Sequence, residues 1–307
     1  MLRKLLQMLK VAPADNKAQA ILHLSSASIR FLILPSKHNL SASTIDTITI
    51  ENNNWQQALT RVLDLLPTYC LLHIALSPDR YQIIQLDKPA VNPDEMLQAL
   101  PWLVKDLVEI PADDMVVDYL ELPEVNAQNP KINVVVSRLS TLKALVEHID
   151  SHGKVISTIQ PEEWLLAGQL IESNQSTMLV MHQPGQDLLI QIVRKGVIYF
   201  SRRARGFNRL SDITADELQY DVINNLLLEL QRSMDYFESQ LKQPPVRDIY
   251  LVVNQAAVMV EQLKTNGYSR TEPLQFSPLP DNVNKAELTS YWAVLAILPQ
   301  ILAEVSS

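Results

Sequence analysis

The segment Leu230-Gln231-Arg232-Ser233-Met234-Asp235-Tyr236-Phe237-Glu238-Ser239 has the most distinctive pattern in the sequence. It lies within a predicted helix that runs from about Ala215 to Leu241 and ends before Pro244-Pro245, because proline cannot continue a helix. Strands are predicted before it at Thr177–Met181, Leu188–Val193 and Val197–Arg202, and after it come Asp248–Val253 (strand), Ala256–Thr265 (helix), Glu272–Phe276 (strand) and Lys285–Ala303 (helix). Such alternation is typical of an α/β fold.

The first half of the chain repeats this order. Two apolar runs separated by a short polar turn predict a hairpin, and a third strand, a helix and two further strands follow. These elements are Gln19–Leu24, Ser28–Leu34, Thr44–Ile50, Asn54–Leu66, Cys70–Leu76 and Tyr81–Leu86. Each half thus begins with antiparallel strands and continues with strand–helix alternation, which predicts two similar lobes.

A smaller α+β unit is predicted between the two halves. Pro93-Asp94-Glu95 opens a helix, since proline and acidic residues favour the first turn. Two strands and the helix Leu139–Asp150 follow. We therefore divide the chain into a basic N-terminal segment 1–17, a first lobe 18–86, an inserted subdomain 87–150 and a second lobe 151–307, whose C-terminal helix is expected to return to the core.

The N-terminal segment is amphipathic and basic. Its apolar stripe consists of Leu2, Leu5, Leu6 and Leu9, and its basic residues are Arg3, Lys4 and Lys10. Such a segment can lie in a membrane interface, although a helix docked on the same protein or a frayed terminus is the alternative. The longest uncharged stretch, Leu288–Ala303, is shorter than the ~20 apolar residues of a membrane span, so we expect a buried helix there.

The composition of the chain argues against several classes of function. The chain has 6 glycines in 307 residues and no G-x-G, so the common glycine-rich phosphate-binding loops are absent. Its net charge of −8 argues against a nucleic-acid binder. Histidines and the single cysteine, Cys70, form no metal-binding pattern, so no metal, cofactor or catalytic residue is expected.

Two charged stretches have ordinary explanations. Glu162-Glu163 follows Pro161 in the first turn of a predicted helix 161–172, where acidic side chains complement the helix dipole. The basic run Arg202-Arg203-Ala204-Arg205 ends a strand and is interpreted as a solvated loop, with a phosphate or an acidic partner segment as the alternative ligand.

The segment at Leu230–Ser239 resembles the helix E-I-Q-R-S-x-D-Y-F of the PilM family, actin-like proteins on the cytoplasmic side of type IV pilus assembly machines. Pro93-Asp94-Glu95 and Val117-Asp118-Tyr119 also fit that family. The resemblance implies an actin-like fold, in which ribonuclease H-like duplicated lobes carry a small inserted α+β subdomain. The branch for mannose-sensitive haemagglutinin (MSHA) pilus biogenesis is the most similar.

The nucleotide loops of that family are altered here. Its first phosphate loop, I-D-I-G-S-S-S-I-K, matches 22–30, its second, V-D-I-G-A, matches 180–184, and its adenosine loop, S-G-G-G-A, matches 252–256. The residues that stand at the aspartate and glycine positions are His23, Ser25, Met181, Gln183, Val253, Asn254 and Gln255. Imidazole and thioether groups are poor Mg²⁺ ligands, and side chains at glycine positions fill the space that phosphate needs.

The resemblance therefore implies a scaffold without ATPase activity. In the family, the partner is the short cytoplasmic tail of a PilN-like inner-membrane protein, which docks between the first subdomain and the small inserted one. The protein is accordingly expected in the cytoplasm, peripheral on the inner membrane, with a weak membrane contact through its N-terminal segment. Two alternatives stay open: an actin-like switch that still binds ATP, and an unrelated α/β enzyme.

Overall fold

The computed structural model describes residues 18–35, 39–123, 130–171, 173–214, 217–218, 222–281 and 283–303. The basic segment 1–17, with its predicted membrane-contact residues, lies outside these ranges, as does the predicted helix start at Ala215. In the described part of the chain, no helix has both the length and the apolar character needed to cross a membrane.

The first lobe is built on a five-stranded sheet. Its strands are β1 (Ala18–Leu24), β2 (Ser28–Leu34), β3 (Thr44–Thr49), β4 (Cys70–Leu76) and β8 (Val155–Pro161), in the order β3-β2-β1-β4-β8. The strands β1, β4 and β8 are parallel, whereas β1–β2 and β2–β3 are antiparallel pairs. Helices α1 (Trp55–Leu65) and α3 (Leu139–Ser151) share one apolar core with this sheet, because Leu59, Val62, Leu142 and Ile149 recur at helical spacing.

The second lobe repeats this arrangement. Its strands are β9 (Thr177–Met181), β10 (Leu188–Arg194), β11 (Val197–Ala204), β12 (Asp248–Val252) and β13 (Thr271–Pro273), in the order β11-β10-β9-β12-β13. Its helices are α4 (Ile223–Asp235) and α5 (Ala256–Thr265). The strands β9, β12 and β13 are parallel, and β9–β10–β11 form the antiparallel meander. The matching orders confirm the predicted duplicated α/β lobes.

The inserted unit has its own antiparallel sheet. The strands β5 (Gln82–Asp87), β6 (Met115–Glu121) and β7 (Lys131–Arg138) have the order β5-β7-β6, and helix α2 (Pro93–Val104) covers the sheet. Met96, Leu100 and Val104 of α2 pack against Val134 and Val136 of β7 in a separate small core. The predicted small α+β unit is therefore present.

Strand pairing differs from the predicted boundaries at both ends of this unit. The sequence places β5 in the first lobe at 18–86, but β5 hydrogen-bonds to β7 of the inserted sheet. The sequence places α3 in the inserted unit at 87–150 and β8 in the second lobe at 151–307, but both complete the first lobe. Since α3 leads into a strand parallel to β4, it serves as the crossover of a β-α-β connection.

Three predicted helices are shorter than expected. The predicted helix 285–303 begins as a 3₁₀ turn at Lys285–Ser290 and is α-helical only from Trp292. The predicted helix 161–172 consists of two 3₁₀ turns, Glu162–Trp164 and Leu166–Leu170. The long helix is α-helical only to Asp235 and then widens into a π turn at Tyr236–Gln240.

The C-terminal helix α6 (Trp292–Ala303) lies between the two large sheets. Its residues Trp292 to Leu298 are buried and share a core with Ile21 and Leu32 of the first sheet and Leu179 and Leu189 of the second. This burial agrees with the buried helix expected for the uncharged stretch, and it explains why the stretch carries no charge.

Candidate functional site

The substituted loop residues lie at the carboxyl ends of strands that face the cleft between the lobes. His23 is near the end of β1, Met181 is the last residue of β9, and Gln183 follows β9 by two residues. In open α/β sheets, this edge is where ligands bind. The cleft is therefore where the chemistry of the altered loops can be assessed.

His23 and Gln183 meet on a carboxylate that we had not predicted as a site residue. Nε2 of His23 lies 2.7 Å from Oε2 of Glu162, and the amide of Gln183 donates to the same oxygen at 3.0 Å. Gln183 also accepts a hydrogen bond of 3.2 Å from the Arg30 guanidinium. His23 and Glu162 are buried, with 0% and 1% of their surfaces exposed, so the contacts form away from bulk water.

Arg203 holds the other side of this carboxylate. Its Nη2 donates to Oε1 of Glu162 at 3.2 Å, and its Nε donates to Oε1 of Glu163 at 2.8 Å. Burial by itself would lower the pKa of Arg203, but the charges of Glu163 and Glu162 outweigh it and raise that pKa. Burial raises the pKa of Glu163, and Arg203 partly opposes this rise.

These contacts correct two interpretations made from the sequence. Glu162 and Glu163 are buried and do not serve as exposed acids of a helix turn, and Arg203 is not part of a solvated loop. The physical reason is mutual compensation, because buried charges persist when they are paired and hydrogen-bonded. We call His23, Arg30, Glu162, Glu163, Gln183 and Arg203 the cleft cluster.

The cleft cluster joins the lobes. Glu162, Glu163 and Arg30 extend from the first sheet, whereas Gln183 and Arg203 belong to the second lobe. A further bridge forms where the amide of Gln186 donates to the Ser77 hydroxyl at 2.7 Å. The space among Glu162, Gln183, Arg203 and their neighbours has no room for a water molecule. Side chains alone therefore fill this part of the cleft.

The other substituted positions do not join the cleft cluster, although Met181 packs beside it against Trp292. The Ser25 hydroxyl donates to the carbonyl of Ser28 at 2.9 Å and closes the β1–β2 turn. Val253 is buried in the second-lobe core.

At the adenosine-loop position, Asn254 and Gln255 make contacts within the second half of the chain. The carboxamide oxygen of Asn254 accepts from the hydroxyl of Thr289 at 2.7 Å, and Gln255 donates to the carbonyl of Ile213 at 2.7 Å. Gln255 has a φ of 55°, a left-handed conformation that glycine adopts without strain. The backbone thus keeps a glycine-like turn while the side chains fill it. No group of three or more His, Cys, Asp or Glu residues within the described ranges has a metal-binding arrangement.

A second concave region lies between the first lobe and the inserted unit. It has a volume of about 390 Å³. One wall comes from the inserted sheet and the other from β8, α3 and the segment after β8; the lining includes Val116, Asp118, Val135, Ser137, Leu142, Thr158, Ile159, Gln160, Pro161 and Trp164. We call it the subdomain groove. In contrast to the cleft, this region is open and mainly apolar.

Comparisons with known proteins agree with the architecture. Neither a protein-family sequence model nor a curated protein sequence matches the chain. Among solved structures, it is similar to a PilM–PilN type IV pilus biogenesis complex, with a TM-score of 0.61, 14% identity, and coverage of 94% of this chain and 98% of that one.

Two further structures are similar over most of their length. A protein of unknown function with an actin-like ATPase fold from Bacteroides thetaiotaomicron has a TM-score of 0.50, 12% identity, and coverage of 92% and 96%. The cytoplasmic domain of EpsL, an inner-membrane component of the type II secretion system of Vibrio cholerae, has a TM-score of 0.48, 11% identity, and coverage of 94% and 95%. Identities this low carry no conclusion about function, but the likenesses to the PilM–PilN complex and to the Bacteroides protein establish that the fold is actin-like.

Proposed function

We propose that this chain is a cytoplasmic scaffold of the inner-membrane platform of a type IV pilus assembly machine. Within that class, we propose the MSHA pilus and its PilM counterpart MshI, because that branch of the family is the one that the sequence most resembles. The similarity in fold to a PilM–PilN complex supports the broader assignment. The protein would be peripheral on the inner membrane and would not hydrolyse ATP.

The filled cleft is the observation that carries this proposal. A magnesium-bound triphosphate needs carboxylate or other oxygen ligands for the metal and space beside the backbone for phosphate oxygens. Here, the only carboxylates in the cleft cluster are already bound by His23, Gln183 and Arg203. The residues present therefore do not fit that group, which favours a scaffold over an ATP-dependent switch.

The subdomain groove is the proposed binding site for the cytoplasmic tail of a PilN-like inner-membrane protein. Its volume is in the range of pockets that bury small ligands, and its mainly apolar lining suits the side chains of an extended peptide. The basic segment 1–17 would add a second, weak contact with anionic lipid, because a basic amphipathic segment binds such a surface through its apolar face and its charge.

Peptide binding tests the proposed groove. We expect a synthetic peptide with the sequence of a PilN-like cytoplasmic tail to bind the full chain, as measured by fluorescence anisotropy. Trp164→Ala, which removes a ring from the groove wall, should weaken binding about tenfold or more. Trp102→Ala is the matched control, because Trp102 is 67% exposed and lies outside the groove lining. Equal binding by both variants, or none by the wild type, would overturn the groove assignment.

Thermal shift tests the absence of nucleotide binding. A ligand that binds only the native state raises the melting temperature. We expect the tail peptide to raise it and Mg²⁺-ATP or Mg²⁺-ADP to leave it unchanged. A nucleotide-dependent rise, or Mg²⁺-dependent phosphate release by the purified chain, would favour the switch instead.

A further inference from the structure

We propose that the segment bound in the subdomain groove carries a lysine or arginine that pairs with Asp118, and that this pair fixes the position in which the segment binds. The inference rests on the proposed function, because it names the chemistry of the partner at the same groove. It makes Asp118 a specificity residue, a role that the volume and the apolar lining of the groove do not assign.

The strand register directs Asp118 toward the groove. Asp118 of β6 lies opposite Val135 of β7, and both line the groove. Val116, two residues earlier, lies opposite Ser137, and these two also line it. Side chains alternate between the faces of a sheet, and Val117, the residue between, belongs to the small core with α2. The side chain of Asp118 is therefore on the groove face of the inserted sheet.

Asp118 brings an uncompensated charge to an apolar surface. Among the described residues that line the groove, it is the only charged one. It is partly buried, and within the described ranges no lysine, arginine or histidine forms a salt bridge with it. Its Oδ1 accepts a hydrogen bond of 2.9 Å from the amide of the next residue, Tyr119. A cationic group that arrives with the bound segment would supply a charged partner, and charge-assisted hydrogen bonds are among the strong ones.

Two nearby parts of the chain do not supply this cation. The segment 124–129, which follows β6 and lies outside the described ranges, contains no lysine or arginine. Arg203 of the adjacent cleft cluster is already paired with Glu162 and Glu163. The basic segment 1–17 is the alternative source within the chain, and the experiment below separates it from a partner protein.

Charge complementarity favours a segment from the cytoplasmic side of a membrane protein. Cytoplasmic segments next to a membrane span carry an excess of lysine and arginine. The apolar stems of these side chains can lie along the walls of the groove while the charged head reaches Asp118. An acidic or uncharged segment of the same shape would leave the carboxylate without a partner. The groove should therefore discriminate by charge as well as by shape.

Paired substitutions in the full chain and in the peptide test this inference. The probe is the synthetic PilN-like tail peptide, in which each lysine or arginine is replaced in turn by glutamine. Asp118→Asn should lower the affinity for the unaltered peptide about tenfold, and one of the peptide replacements should lower it equally. Combining these two changes should cause no further loss. Asparagine keeps an acceptor for the amide of Tyr119, so the stability in urea should be unchanged.

A matched control and a charge reversal complete the experiment. Asp113→Asn removes the same charge from an exposed position of the same unit, outside the groove lining, and should leave the affinity unchanged. Asp118→Lys should bind the unaltered peptide poorly and should regain affinity when the identified basic residue of the peptide is replaced by glutamate. A purely structural role of Asp118 would not produce this recovery.

Failure of this inference and failure of the proposed function give different results. If Trp164→Ala lowers the peptide affinity and Asp118→Asn does not, the groove assignment stands and the pairing is wrong. Losses that add for every peptide replacement would also overturn the pairing. If the wild type binds no tail peptide, the proposed function fails, and the pairing fails with it. Higher peptide affinity after the combined substitutions Arg3→Ser, Lys4→Ser and Lys10→Ser would overturn it as well, because the chain's own basic segment would then be the resident partner.

Discussion

The interlobe cleft and the subdomain groove are built from adjacent residues but have opposite character. Gln160 and Pro161, at the end of β8, line the open and mainly apolar groove. Glu162, the next residue, is 1% exposed and lies at the centre of the charged cleft cluster. One strand end thus contributes to a filled region on one side and to an accessible region on the other.

Because of this difference, substitutions in the cleft and in the groove should affect different properties, stability in the first case and binding in the second. Removing one member of a buried charged network leaves its partners unpaired and costs more than the network itself contributes, so the cleft should be sensitive to substitution. The groove opens to solvent, so substitutions at its part-exposed lining residues, such as Gln160 and Trp164, should alter ligand affinity more than folding. The cleft contacts therefore join the lobes, and the groove is the proposed surface for a partner.

The largest expected effect is on the cleft. Glu162→Ala removes the acceptor of His23, Gln183 and Arg203 and should lower the free energy of unfolding by about 3–5 kcal/mol. Glu121→Ala is the control, because Glu121 forms an exposed pair with Lys88 at 2.8 Å and should cost about 0–1 kcal/mol. Urea unfolding measures both. Similar losses for the two variants would contradict a structural role for the cleft cluster.

The groove also rests on a buried polar contact, which predicts a pH effect. Burial lowers the pKa of His73 from its usual 6.5 to about 4. Nε2 of His73 donates to Gln19 at 2.9 Å, and Nδ1 accepts from the hydroxyl of Thr158, a groove residue, at 3.2 Å. Because the unfolded chain takes up the proton first, stability should fall as pH drops from about 6.5 to 4, by about 3 kcal/mol in total.

A variant isolates this titration. The buried Glu163 carboxyl has a raised pKa and changes stability in the opposite direction. Burial also lowers the pKa of His148 and of His182, so the wild-type profile alone mixes several groups. His73→Gln keeps a donor toward Gln19 and cannot titrate. Urea unfolding gives the free energy of unfolding of the wild type and of His73→Gln at each pH. The difference between these two profiles should show the loss of stability below pH 6.5. Parallel profiles would show that His73 does not titrate as its burial requires.

Much of the fold follows from local pattern, whereas its boundaries do not. The hairpin of β1 and β2 and the helices α1 and α5 were predicted within one or two residues, because apolar spacing and turn residues define them. The strands β5 and β8 were assigned to the wrong units. Spacing shows that a segment is a strand, but pairing depends on which distant strand lies beside it.

The candidate site shows the same limit. The substitutions at His23 and Gln183 were visible in the sequence, but their shared partner was not. Glu162 is 139 residues from His23, and Arg203 lies 41 residues beyond Glu162, so no local pattern joins them. Glu162-Glu163 also satisfied the rule for acids in a helix first turn, which hid their burial. An excess of acids at a strand end that faces a ligand edge is the signal that would have indicated this role.

A matched pair of glutamines gives the smallest and most direct comparison. Gln183→Ala removes hydrogen bonds to the charged side chains of Glu162, which is buried, and Arg30, which is partly buried. It should lower the free energy of unfolding by about 1.5–3 kcal/mol. Gln160→Ala changes the same side chain in the groove wall and should stay within about 0.5 kcal/mol.

For peptide binding, the order of the two effects should reverse: Gln160→Ala should have the larger effect and Gln183→Ala the smaller. Because Gln160 lines the groove, Gln160→Ala should lower the affinity for the tail peptide. Gln183→Ala should leave that affinity unchanged as long as the chain is folded. Urea unfolding and fluorescence anisotropy on the same preparations test both halves of this expectation. If Gln183→Ala lowers the peptide affinity as much as Gln160→Ala does, the cleft and the groove are energetically coupled. The cleft would then regulate the partner surface as well as join the lobes.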